Sequence, residues 1–155
     1  MIQEKYNQLI YDLATEKAIE IYSHTRANIL SPVNIKSEDT VSFLNEEIVS
    51  VVEYLKEKAS EVSTTLTDNS DYVIAFGKLN IAPSKIKKSL KDGGAFVMAS
   101  DNDTCDLQML QTLCQDAGYK TIDIFYAAPD YKYAMELFSS EYTKEPYSSY
   151  ILIAK

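Results

Sequence analysis

Apolar positions along the chain follow two rhythms. The first is a set of short runs: Val41-Ser42-Phe43-Leu44, Val62 to Leu66, Tyr72-Val73-Ile74-Ala75-Phe76, Ala95 to Ala99, Thr121 to Tyr126 and Ser149 to Ala154. Val62 to Leu66 is short and rich in β-branched residues, while runs that stay apolar instead of alternating, such as Tyr72 to Phe76 and Ala95 to Ala99, read as strands buried on both faces. The second rhythm is helical. Ile48, Val51, Val52, Leu55 and Ala59 repeat at i, i+3, i+4, i+7 and i+11, behind Asn45 as the expected N-cap and Glu46 and Glu47 in a first turn where the helix dipole favours carboxylates. Pro83 suits the first position of a short helix through Leu90, which should stop at Lys91-Asp92-Gly93-Gly94. Asp103 or Thr104 is expected to cap a third helix, with Leu107, Leu110, Leu113, Cys114 and Ala117 on its apolar side and Gly118 as a left-handed C-cap. Near the start, Ile2, Tyr6, Leu9, Ile10 and Leu13, then Ile19 and Tyr22, have helical spacing with a break between the groups, so one or two amphipathic helices are expected.

Strand and helix alternate, which predicts an α/β fold with a mostly parallel sheet covered by helices on both sides. The polar segment Ser31 to Asp39 reads as a connection, and residues 1–30 as an N-terminal helical segment of one domain spanning 1–155. Thr67-Asp68-Asn69-Ser70 is a turn cluster.

Charge narrows the function classes. Fifteen basic against twenty-three acidic residues leave a net charge of −8 on 155 residues, which repels phosphate backbones and anionic lipid surfaces, so neither nucleic acid nor membrane is an expected partner. The apolar runs are strand-sized, far below the roughly 18 residues of a membrane span. No secretory pattern opens the sequence, which makes the cytoplasm the expected location. Cys105 and Cys114 fit neither a CxxC pair nor a zinc knuckle and are expected to be buried, reduced thiols.

Other chemistry has a bland account beside each sharper one. His24 is the only histidine and stands next to Arg26 in a helix or helix end; no metal set or triad can be built on it alone. Asp101-Asn102-Asp103-Thr104-Cys105-Asp106 opens like a calcium loop, but Asp106 stands where glycine is needed and Thr112 where glutamate is needed, so helix capping explains it. Lys85, Lys87 and Lys88 form either a solvated face or a patch for an anionic partner. Seven of the twelve tyrosines lie from Tyr119 onward. Tyr126, Tyr131, Tyr133, Tyr142 and Tyr147 among them could form an interface or sugar-binding surface, or pack the last strands.

Several motifs in order resemble one family. Asp71-Tyr72-Val73-Ile74-Ala75-Phe76, then Leu90 to Met98 with Lys91-Asp92-Gly93-Gly94, then Leu110 to Tyr119 with Ala117-Gly118-Tyr119, resemble the second half of a class I S-adenosylmethionine-dependent methyltransferase. Phe125 to Lys132 and Glu136 to Tyr142 are similar to the ending of methyltransferase-like domains that accompany glycosyltransferases in bacterial surface-polysaccharide assembly, and Tyr22 to Leu30 resembles the segment before their cofactor motif. The resemblance implies a Rossmann-like sheet with an antiparallel C-terminal strand. It is shortened: between the second strand and Tyr72 there is room only for a turn, so one edge strand and its helix should be missing.

The family's cofactor motif can be laid on Val41 to Leu55 without a gap. Its acid then falls on Phe43 and its three glycines on Asn45, Glu47 and Val49, while the ribose-binding acid after the second strand falls on Thr65 or Leu66. All four glycines of the chain (Gly77, Gly93, Gly94, Gly118) lie further on. A turn that holds a nucleotide-like donor does so with bare backbone, and side chains there should cost several kcal/mol in overlap, above the ~1–3 kcal/mol of ordinary overpacking. The sequence therefore leads to a degenerate, non-catalytic methyltransferase-like domain, a pseudoenzyme with no catalytic or metal residues. It is expected to bind no cofactor and to act through a protein partner or self-association. The rival expectation is an active methyltransferase that holds S-adenosylmethionine at an atypical site.

Overall fold

In the computed structural model, residues 23–141 and 148–155 are described. The helical expectation for residues 2–22 lies outside them. A 3₁₀ helix, His24–Leu30, comes first, capped by Ser23, whose side chain accepts a hydrogen bond from Thr25 N. The elements that follow are β1 (Thr40–Phe43), α1 (Val49–Lys58), β2 (Glu61–Ser63), β3 (Ser70–Phe76), α2 (Pro83–Ser89), β4 (Leu90–Asp101), α3 (Leu107–Asp116), β5 (Ile122–Ala128), β6 (Glu136–Ser139) and β7 (Ser149–Ala154).

The strands form one seven-stranded sheet in the order β2-β1-β3-β4-β7-β5-β6. β2, β1, β3 and β4 pair in parallel. β7 is antiparallel to both β4 and β5, so β5 runs with the parallel set, and β6 returns antiparallel on the far edge. This is the Rossmann-like methyltransferase architecture, with its antiparallel C-terminal strand and only a turn between β2 and β3.

Apolar runs arise because each central strand supplies two cores. Ile74 and Phe76 of β3, Ala95, Val97 and Ala99 of β4, and Ile151 and Ile153 of β7 face the α1 and 3₁₀ side; Val73, Ala75, Phe96, Met98, Tyr150, Leu152 and Ala154 face α2 and α3. Successive side chains point to opposite faces. With both faces covered, neither set can be polar without a hydrogen-bonding partner.

Local chemistry explains where boundaries depart from expectation. The ladder of β2 ends at Ser63 and does not reach Leu66, because the hydroxyls of Ser63, Thr65 and Thr67 bond to one another and to Thr65 O. α2 passes straight into β4 at Leu90, and Lys91 to Gly94 form an irregularity between the Ser70–Leu90 and Tyr72–Ala95 pairs. Gly94 is required there, since a Cβ would sit 3.0 Å from Asp71 O and Lys91 O. The cap of α3 is Asp106, whose carboxylate accepts from Met109 N at 2.9 Å, and not Asp103 or Thr104. Leu113 is 42% exposed, so it leaves the apolar side of α3 to Leu107, Leu110 and Cys114. Gly118, at φ +93°, closes the helix as expected: Tyr119 N bonds to Cys114 O and Gly118 N to Gln115 O. β6 was not expected. It has only Leu137 and Phe138 as apolar residues and exists through pairing with β5.

Both cysteines are buried and free. Burial, with Cys105 nearby, pushes the Cys114 thiol up to about 11 from 9.0. An unfolded chain releases this proton near pH 9 while the folded chain keeps it, so the stabilisation is complete below pH 9 and is lost as pH rises toward 11. Urea midpoints followed between pH 9 and 10 should fall, with this one group contributing up to about 1.4 kcal/mol per pH unit, and Cys114→Ala should flatten the slope.

Candidate functional site

The parallel strands end on one side of the molecule. From β1 the chain goes to β2 on one flank, and from β2 it returns to β3 on the other, so the strand order reverses between β1 and β3. Crevices in open α/β sheets form at such a reversal, outside the carboxyl ends of the strands. Two cavities lie there. One, of about 510 Å³, is lined by Arg26, Asn45, Glu47, Ile48, Phe76 to Lys78, Asn80, Thr104, Tyr131 and Lys132. The other, of about 280 Å³, is lined by Leu44, Asn45, Thr64 to Leu66, Ala75 and Lys78 to Ile81. Asn45, Lys78 and Asn80 line both.

Asn45 holds the boundary. Leu44 N donates to Ile74 O at 2.9 Å, extending the β1–β3 ladder by one step. The Asn45 amide then continues it: Phe76 N donates to Oδ1 at 2.7 Å, and Nδ2 donates to Phe76 O at 3.0 Å. A side-chain amide carries the same donor and acceptor as a peptide group, so it bridges two strands that have begun to splay. Nδ2 also donates to Glu47 Oε1 at 3.1 Å. The expectation of Asn45 as helix N-cap is thereby corrected. α1 starts at Val49 behind Ile48, which makes no side-chain cap bond.

Of the residues laid on the cofactor motif, Asn45 lines both cavities, Glu47 the larger one, and Thr65 and Leu66 the smaller, so Asn45, Thr65 and Leu66 come together in one crevice. Val49 is the first residue of α1. Phe43 is fully buried, its ring packed edge-on against Phe76 with centroids 5.3 Å apart. Among the tyrosines considered for an interface, Tyr131 is buried and lines the cleft, Tyr126 of β5 stands opposite Tyr150 of β7 and Phe138 of β6, and Tyr133 is half-buried. Tyr142 and Tyr147 lie outside the described residues.

Sequence reasoning did not connect Arg26 with the site. It is 4% exposed, with its guanidinium carbon 5.8 Å from the Phe76 ring centre and 6.0 Å from that of Tyr131. The 3₁₀ helix presents it there, tied to the segment after β5 by Asn28 Nδ2 donating to Ala134 O at 3.0 Å. Burial raises the Tyr131 hydroxyl's pKa; Lys132 and Arg26 act against that rise, and Asp101 and Asp130 act with it. Arg26 could have been noticed in the resemblance segment, but its distance in sequence from Phe76 and Tyr131 hid their contact.

Lys87, Lys91, Lys120 and Lys155 line an open depression of about 610 Å³ at the other end of the sheet, where Lys87 Nζ lies 4.8 Å from the Tyr119 ring centre. Among the described residues, no group of three His, Cys, Asp or Glu could hold a metal ion, and no helix is long and apolar enough to cross a membrane.

No family model matches the sequence, and no curated protein matches it. Similarity is found with solved structures. A SAM-dependent methyltransferase from Thermotoga maritima superposes with a TM-score of 0.58 at 8% identity, over 100% of this chain and 99% of that one. A precorrin-6Y C5,15-methyltransferase from Geobacter metallireducens gives 0.50 at 15% identity, over 84% and 86%. A ribosomal protein L11 methylase from Lactobacillus delbrueckii subsp. bulgaricus gives 0.50 at 9% identity, over 84% and 76%. At these identities the likeness is one of fold.

Replacing Asn45 by Ala should strand the N–H and C=O of Phe76, a residue only 2% exposed. A loss of about 1–3 kcal/mol in unfolding free energy is expected, measured by urea denaturation.

Proposed function

We propose that this chain is a degenerate methyltransferase-like domain that does not hold S-adenosylmethionine and serves as a non-catalytic binding or assembly module. The observation that carries the proposal is the Asn45 bridge. A nucleotide-like donor lying across the strand reversal needs one continuous crevice against bare backbone. Here the Asn45 amide closes β1 onto β3 at Phe76, and the Glu47 carboxylate is held beside it.

The residue laid on the motif's acid supports the same reading. Phe43, standing where the motif's acid would be, has no charge to offer the donor.

Surface-polysaccharide assembly beside glycosyltransferases is the setting we propose, from the resemblance of Phe125 to Lys132 and Glu136 to Tyr142 to the ending of such domains. In that setting the module would contact a protein partner or a second copy of itself. The rival reading, a methyltransferase with an atypical donor site, draws on the open cavity of about 510 Å³.

Thermal denaturation with S-adenosylmethionine decides between them. A donor at 100 times its Kd would stabilise the fold by about 2.7 kcal/mol. We expect the melting temperature to stay unchanged at millimolar donor; a clear rise would establish the rival.

A further inference from the structure

We propose that the smaller cavity at the strand reversal binds a short aliphatic carboxylic acid, its hydrocarbon body among Leu44, Leu66, Leu79 and Ile81 and its carboxylate at Lys78. The inference rests on the reading of this chain as a non-catalytic binding module, to which it adds a class of ligand.

Convergence of apolar side chains is the first observation. Leu44 follows β1, Leu66 follows β2, and Leu79 and Ile81 follow β3, yet all four line one cavity of about 280 Å³. Each is half-buried and packs on the core shared with α2 and α3. Single exposed leucines are ordinary on a protein surface, whereas four aliphatic side chains from three separate segments around one crevice form an apolar wall open to water. Ala75 makes the room. It belongs to the same core, is 2% exposed, and lines the cavity with a methyl group where a larger residue would fill it.

Hydrogen bonds hold these walls in place without a ligand. Thr65 O accepts from Ser63 Oγ at 2.9 Å and from Thr67 Oγ1 at 3.2 Å, and Thr67 N donates to Ser42 Oγ at 3.1 Å, so the backbone on either side of Leu66 is tied to β1 and β2. Leu44 N on Ile74 O and the Asn45 amide on Phe76 fix the opposite wall. A crevice already formed costs little ordering entropy on binding.

Charge selects the polar end of the ligand. Lys78 is the one ionised side chain among the described lining residues, and its ammonium makes no ion pair or hydrogen bond among the described residues. The Glu47 carboxylate lines the other cavity, where it accepts from Asn45 Nδ2 at 3.1 Å. A carboxylate at the rim therefore meets a cation with no competing acid in the cavity wall, and the Asn80 amide adds a donor beside it. A doubly charged phosphate would lose more hydration against aliphatic walls than a carboxylate does. The volume of about 280 Å³ is just under the ~300–1,000 Å³ of drug-sized ligand sites, so the hydrocarbon body is short.

Amide NMR spectra of the isotope-labelled full chain, titrated through the millimolar range at constant ionic strength, test this with hexanoate, hexanol and acetate. We expect hexanoate to give saturable shifts at the amides of Leu44, Leu66 and Leu79, hexanol to bind at the same amides about two- to fivefold more weakly, and acetate to give no saturation. Lys78→Gln should weaken hexanoate by the same factor and leave hexanol unchanged, a difference that altered folding would not produce. Ala75→Val should remove binding of both. Absence of saturation by hexanoate overturns the inference, as do equal affinities for hexanoate and hexanol, saturable shifts that lie outside this cavity, or adenosine binding there more tightly than hexanoate. S-adenosylmethionine titrated in the same way keeps the two readings apart: donor binding defeats the non-catalytic assignment, whereas a chain that binds neither donor nor hexanoate loses only the present inference.

Discussion

Two-sided burial of β3, β4 and β7 is the constraint on which the rest of this structure depends. Each residue of β7 is buried, and its side chains divide between the two cores, Ile151 and Ile153 to one and Tyr150, Leu152 and Ala154 to the other. A sheet covered on both faces can admit a ligand only at its strand ends, and the reversal between β1 and β3 opens the crevice at one of those ends. The fold thus determines where a site can lie before any functional side chain is considered.

What occupies that place is local chemistry. A single amide, Asn45, makes both hydrogen bonds to Phe76 and joins the ends of β1 and β3. Phe76 also packs on Phe43 and lies beneath Arg26, so the strand bridge, the core and the cavity floor share one residue. The shape of the cavity and the stability of the strand ends are therefore coupled: a change that removes the Asn45 amide also removes partners from a buried backbone group.

Arg26 stands out because it is a charged residue only 4% exposed. Buried charge is costly and is retained where something offsets it. Arg26 reaches its position through the 3₁₀ helix, the Asn28 tie to Ala134 and two aromatic rings, Phe76 at the end of β3 and Tyr131 in the segment after β5. This arrangement uses three distant stretches of sequence to hold one guanidinium.

The strands, the closing role of Gly118 and the reduced state of both cysteines were legible in the sequence, because apolar runs, a left-handed turn and thiol spacing are local signals. Helix caps were less so. Asn45 and Asp106 have the same capping chemistry on paper, yet only Asp106 caps, since Asn45 meets an unpaired strand end 31 residues away before it can bend back on its own helix. β6 was invisible for a related reason: two apolar residues do not announce a strand, and its ladder comes from β5. Sequence by itself determined the alternation of elements and the two-faced sheet. Only the tertiary structure decided that Asn45 would bridge strands, that Thr65 and Leu66 would share a crevice with Lys78, and that Arg26 would lie between Phe76 and Tyr131, because contacts across such separations depend on where the sheet brings its strand ends together.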